Sequence, residues 1–265
     1  MMLQDHWAAY VIVGILGLIF GSFATVLTFR IPKEISILTP RSRCEICGEQ
    51  IPASGLIPIF SYLMGKGRTS CCKTKLSSIY PLFELGTSAL FILSLKLSDS
   101  YPKLLGLLIL SVLTLPLIKI DISEHRLPNV LTFFGLISGI ILATATSMVN
   151  NNFGILFQAA ALSLLAGIIF YTLNILTRGG MGMGDVKLAA MLGALMAPFG
   201  PANLFTGFVF AFLIGSIISF ALLISKRASR KSLIPFGPSM LFGSWLALCL
   251  GNATTFNIVN LLVIK

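Results

Sequence analysis

Charge is scarce in this chain. Only 11% of its 265 residues are Asp, Glu, Lys or Arg, while 56% are hydrophobic before glycine is counted. A soluble domain carries about 25% charged residues and about 45–50% apolar ones with glycine included, so an ordinary soluble fold is excluded. Each spanning helix needs roughly 20 mainly apolar residues, and the length admits about eight of them with short loops. Acids are the scarcer sign, nine against nineteen bases, for a net charge of +10. In a soluble protein that imbalance would point to nucleic acid. Here it fits basic loops on one face of a lipid bilayer, and no nucleic-acid partner is expected.

Other absences narrow the class further. The chain shows no internal repeat, no low-complexity segment and no βαβ unit with a glycine-rich turn. Its N-terminus, MMLQDHWAAY, has Asp5 and His6 in place of a basic n-region. The apolar run that follows is too long for a signal-peptide core, so it is expected to stay as a first span.

What is present is a series of eight apolar segments, at about 8–29, 80–97, 102–120, 127–149, 153–175, 186–199, 201–224 and 234–262. The sixth is short and is expected to extend back through a glycine loop. The last contains the weak stretch GNATTFN and can end near Cys249. Sixteen of the nineteen Lys and Arg residues fall on the odd-numbered loops. Positive charge stays cytoplasmic, so those loops are predicted to face the cytoplasm and both termini to face out. The expected fold is an all-α polytopic membrane protein of about eight transmembrane helices. Three pieces are predicted: a first transmembrane helix over 1–29, a small cytoplasmic cysteine-containing loop domain over 30–79, and a membrane domain over 80–265.

Five of the nine acids, Asp5, Glu34, Glu45, Glu49 and Asp99, sit in loops or at the N-terminus. The other four, Glu84, Asp121, Glu124 and Asp185, lie beside or within apolar segments, where ionisable groups are costly and mark functional sites by default. Asp121 closes the third segment in LIKIDISEHRLPN and Asp185 opens the sixth in GMGMGDVKL, both on the predicted cytoplasmic side. Two carboxylates within reach of one another tend to share one proton. The ionised member can then take a proton from water while its partner polarises a carbonyl, which hydrolyses a peptide without a covalent intermediate. Gly179, Gly180, Gly182 and Gly184 would let the backbone adopt positive φ and approach a substrate closely. Each aspartate also has a structural reading, Asp121 as a solvated residue past a helix end and Asp185 as an N-cap. A phosphate-binding reading of GMGMG lacks the strand–loop–helix context it requires.

Several ordered motifs carry a resemblance over nearly the full length. They are GSFATVLTFRIP at Gly21–Pro32, RSRCEIC at Arg41–Cys47, IPIFSYLMGKGR at Ile57–Arg68 and YPLFELG at Tyr80–Gly86. D-x6-P-N at Asp121–Asn129, GMGDVKL at Gly182–Leu188 and IPFGPSMLFGSW at Ile234–Trp245 follow. Together they resemble the type IV prepilin peptidases, membrane aspartyl proteases that also N-methylate their product. The resemblance implies Asp121 and Asp185 as catalytic residues, with Gly182, Gly184 and Lys187 in a substrate-binding loop. It implies a multi-pass enzyme of the bacterial inner membrane with its active site facing the cytoplasm. The implied substrates are type IV prepilins and the pseudopilins of type II secretion, cut after a glycine that ends a basic leader. The new N-terminus would then be methylated from S-adenosylmethionine. A basic protein surface should repel a basic leader, and Glu124 is expected to offset that locally.

Glu84 has two readings. With Pro81 at helix position N1 it would lie in the first turn and favour the helix dipole; its place in the YPLFELG match puts it instead near the methyl-donor site. Four cysteines, Cys44, Cys47, Cys71 and Cys72, lie in the loop domain. A reduced cytosol favours metal over disulfide, and a structural zinc would explain how so small a loop folds. The family often has two CxxC pairs, yet Thr69 stands where the second should begin, and Thr25 stands where an asparagine is usual. Cys71 can replace the missing ligand, another group can complete a three-cysteine site, or packing alone can hold the loop. Cys249 is expected to be a small buried hydrophobe.

Two further functions compete. One is a peptidase that has lost methylation. The other, from a different class, is a polytopic transporter whose intramembrane acids bind a cation or proton; repeated halves and broken midplane helices would mark it. A scaffold built on the cysteine loop would leave the aspartates without a purpose.

Overall fold

The computed structural model describes residues 6–39, 41–44, 47–52, 55, 57–69, 71–177, 181–226 and 234–251. Among the described residues nine α-helices follow in order: α1 Trp7–Arg30, α2 Phe60–Met64, α3 Ile79–Leu97, α4 Tyr101–Glu124, α5 Asn129–Val149, α6 Gly154–Leu176, α7 Met183–Met196, α8 Pro201–Ile224 and α9 Gly237–Leu250. Six of them, α1, α3, α4, α5, α6 and α8, are long and apolar enough to cross a membrane. The protein is a multi-pass membrane protein.

The sixth segment differs from expectation, while the helix of the eighth ends at Leu250, beside Cys249. Helix α7 has 14 residues, which rise about 21 Å against a hydrocarbon core of about 30 Å. It does not run back through the glycine loop: it starts at Met183, and Thr177, Met181 and Gly182 are not helical. Helix α9 also has 14 residues, and residues 252–262 of the predicted last span lie outside the described residues, as do Gly179 and Gly180.

The chain divides into two units, Met1–Ser98 with Ser111–Pro116, and Asp99–Leu110 with Leu117–Lys265. In the first unit α1 packs on α3 through glycines. A Cβ added at Gly17 would lie 2.5 Å from Ser88 Cα, and one at Gly21 would lie 2.6 Å from Glu84 Cα. Small residues let membrane helices approach where no hydrophobic effect drives them together. Ser88 Oγ adds a hydrogen bond to the Gly14 carbonyl at 2.8 Å. Thr25 is buried and donates to the Ser22 carbonyl of its own helix at 2.6 Å.

In the second unit α7 is the central helix. Leu188, Ala189, Met191, Leu192, Ala194 and Leu195 are all buried, as expected for a helix that is apolar on every side. Gly193 lies against the Leu162 carbonyl of α6, and Gly139 of α5 lies against Ala194. This packing fixes the start of α7, and with it Asp185.

Candidate active site and cysteine cluster

Asp121 lies in the last turn of α4, 5% exposed, rather than past the helix end in solvent. Its Oδ2 accepts the backbone N–H of Gly237, at the start of α9, at 3.0 Å. A Cβ at residue 237 would lie 2.6 Å from that same oxygen, so a side chain there would displace the carboxylate or the start of α9. Helix α4 ends at His125 in the left-handed conformation, whose N–H closes on the Asp121 carbonyl at 2.9 Å.

Asp185, 7% exposed, is the third residue of α7 and not its N-cap. The N-cap is Gly182, whose N–H donates to Asp185 Oδ2 at 3.2 Å. One carboxylate oxygen therefore caps the helix backbone, where a negative charge suits the dipole. Asp121 and Asp185 line one cleft of about 480 Å³. His125, Leu127, Met181, Gly182 and Phe236 complete its walls.

The residues expected to form a substrate loop have other geometry. Gly184 and Lys187 are within α7, and Gly182 has φ −70°, so neither described glycine of the motif uses positive φ. Gly184 serves close approach instead, since a Cβ there would lie 3.0 Å from Leu127 Cβ. Lys187 Nζ donates to Asn129 Oδ1 at 2.7 Å. Lys187 and Gly184 thus tie the GMGDVKL segment to the D-x6-P-N segment, which brings the two acids to one cleft. Asn174 of α6 donates to the Met181 carbonyl and anchors the turn before α7. Glu124 is already paired with Arg126 at 3.4 Å, so its charge is compensated locally.

Glu84 lies beyond the first turn of α3, because the helix begins at Ile79 and not at Pro81. It is 6% exposed and its Oε2 accepts the N–H of Ile59 at 2.7 Å. Ile59 has φ 60°, an outlying conformation for a β-branched residue. Glu84 therefore holds the linking segment by its backbone.

The cysteine loop contains two small antiparallel turns, marked by the bridges Arg43–Gln50 and Arg68–Lys75. Their backbones match. Cys44 N–H bonds to the Glu49 carbonyl and Gly48 N–H to the Cys44 carbonyl; Thr69 N–H bonds to the Thr74 carbonyl and Lys73 N–H to the Thr69 carbonyl. Gly48 and Lys73 both have positive φ. Thr69 thus occupies the place of Cys44, and Cys72 that of Cys47. Cys71 reaches in from the adjacent position, 3.3 Å from Cys47 Sγ and 3.8 Å from Cys72 Sγ; Cys44 and Cys72 are 3.6 Å apart. All four sulfurs lie within 4.8 Å of one another. Zn–S bonds of about 2.3 Å in a tetrahedron give S···S edges of about 3.8 Å, so the set fits a zinc ion. Cys249, expected to be buried, is exposed on α9.

Residues 15–97 match the bacterial peptidase A24 N-terminal domain, and residues 107–224 match the type IV leader peptidase family. The chain is 33% identical over 241 residues to the prepilin leader peptidase/N-methyltransferase of Bacillus subtilis, covering 90% of this chain and 93% of that one. It is 33% identical over 251 residues to the type 4 prepilin-like proteins leader peptide-processing enzyme of Escherichia coli, covering 86% and 88%. A prepilin leader peptidase/N-methyltransferase of Pseudomonas aeruginosa is 30% identical over 292 residues, covering 96% and 94%. No solved structure matches the chain. The chain belongs to the type IV leader peptidase family.

Proposed function

We propose that the protein is an aspartic endopeptidase that removes the leader peptide of type IV prepilins and pseudopilins, with Asp121 and Asp185 as its catalytic pair. The observation that carries this is the burial of two carboxylates, from two separate motif segments, in one cleft. The pair holds one proton. The ionised carboxylate takes a proton from water as the water oxygen attacks the scissile carbonyl carbon, and the protonated partner donates to the carbonyl oxygen. Collapse of the tetrahedral intermediate breaks the C–N bond, and a carboxyl proton goes to the departing amine. Gly237 and Gly182 hold the two acids through backbone N–H groups.

The first helix over 1–29, the loop domain over 30–79 and the membrane domain over 80–265 are the proposed functional pieces. In the bacterial inner membrane the cleft faces the cytoplasm, a reading supported by the concentration of Lys and Arg on one set of loops. Cys44, Cys47, Cys71 and Cys72 are the proposed ligands of a structural zinc that staples the loop. N-methylation of the new N-terminus from S-adenosylmethionine is proposed on the names of the relatives. No residue is assigned to the methyl donor.

Mass spectrometry of a prepilin co-expressed with the wild-type protein tests the reading. Loss of the leader with one added methyl group supports both activities, and loss of the leader alone leaves a peptidase. A panel of prepilins and pseudopilins that all stayed intact would sink the peptidase assignment.

A further inference from the structure

We propose that His125 is a substrate-binding residue of the cleft, its imidazole donating a hydrogen bond to a backbone carbonyl of the leader peptide; this rests on the leader-peptidase reading. His125 follows Asp121 by four residues and lines the same cleft. Three further observations single it out.

The first is its backbone. His125 caps α4 in the left-handed conformation, at φ 53° and ψ 35°. Glycine adopts that conformation without a Cβ penalty and is the usual residue there. Gly184 and Gly237 stand where the backbone of the site must come close, yet this turn carries an imidazole. Seven non-glycine residues among those described have positive φ, and His125 is the one that lines the cleft. A sparsely populated conformation kept at a functional site points to the side chain it carries. The second is that this side chain is uncommitted. Ser123 donates to the Lys119 carbonyl, Glu124 pairs with Arg126, Leu127 packs on Gly184 and Asn129 accepts from Lys187. Among the described residues, the exposed imidazole of His125 has no hydrogen-bond partner.

The third is its depth. Helix α4 is long and apolar enough to cross a membrane, and Asp121 lies in its last turn. His125 comes after the helix, about 6 Å further towards water at 1.5 Å per residue. An extended peptide advances about 3.3 Å per residue, so His125 meets the substrate about two residues from the scissile bond. On the aqueous side of the carboxylates that stretch belongs to the leader. An imidazole keeps at least one N–H in either protonation state, so a bond to a peptide carbonyl needs no particular leader side chain. A plain helix cap would account for the first observation only, and a charge that favours the helix dipole needs no place in the cleft.

The test measures prepilin cleavage by the full-length protein in membranes, with the amount of inserted protein and its thermal stability followed alongside. His125→Gly keeps the left-handed turn and removes the imidazole. It should raise KM about three- to tenfold with kcat unchanged, the range for one hydrogen bond lost from uniform binding. His125→Asn tolerates the same backbone and keeps a side-chain N–H donor, so its KM should lie closer to wild type. A role in capping alone would change stability and leave KM where it was. A wild-type KM in the glycine variant, or a loss confined to kcat, would overturn the assignment while cleavage by the wild type upheld the peptidase reading. A wild type that cleaved no prepilin would instead strike that reading, and the assignment with it.

Discussion

Gly237 and Asp121, 116 residues apart, are joined by a single hydrogen bond of 3.0 Å from backbone N–H to carboxylate oxygen. The bond is made possible by the missing side chain, because a Cβ would sit 2.6 Å from the same oxygen. Gly237→Ala must therefore move the carboxylate or the start of α9. A misplacement of about 1 Å near reacting groups costs on the order of 100-fold in rate. We predict that loss for prepilin cleavage, with the protein still inserted and of near-normal thermal stability. Full activity in the alanine variant would remove Gly237 from the positioning of Asp121.

Lys187 and Asn129 should behave as one unit. Their 2.7 Å contact links the helix carrying Asp185 to the segment that follows Asp121. Lys187→Met and Asn129→Leu are each expected to lower kcat about tenfold, and the double variant to fall little further, since residues in one contact are not additive. Independent, multiplying losses would show that Lys187 acts elsewhere, for instance directly on the substrate as the sequence implied.

The matched turns of the cysteine loop give a rescue experiment. Cys71→Ser should reduce bound zinc well below one per protein, measured by metal analysis of the purified full chain. Adding Thr69→Cys should restore it, because Thr69 occupies the backbone position equivalent to Cys44. Zinc unaffected by Cys71→Ser would exclude Cys71 as a ligand.

The two aspartates stood out in the sequence because ionisable groups beside apolar segments are costly, although each also had a structural reading, and their burial in one cleft is a tertiary fact. The six long helices were legible because length and apolarity are local properties. Gly237 was not, although it lies in a quoted motif: a glycine signals backbone geometry, and its partner here is remote in sequence. Glu84 was misplaced in its helix because Pro81 suggested a start that Ile79 makes earlier. Its contact with Ile59 is a tertiary one that no spacing shows. Cys249 illustrates a limit particular to membranes. Residues facing lipid and residues facing the core are equally apolar, so hydropathy cannot tell an exposed cysteine on α9 from a buried one. Cys71 as a replacement ligand was one of three readings the sequence left open, and the structure brings its sulfur into the cluster.

The most direct test of the central claim is the rate of prepilin cleavage by Asp121→Asn and by Asp185→Asn, each with the amount of inserted protein measured alongside. An amide cannot take up or give the shared proton, so each single exchange should reduce cleavage at least about 1,000-fold, within the range seen when one member of a catalytic unit is removed. Wild-type cleavage by either variant would contradict the two-carboxylate mechanism and leave that aspartate as a helix-capping or positioning residue.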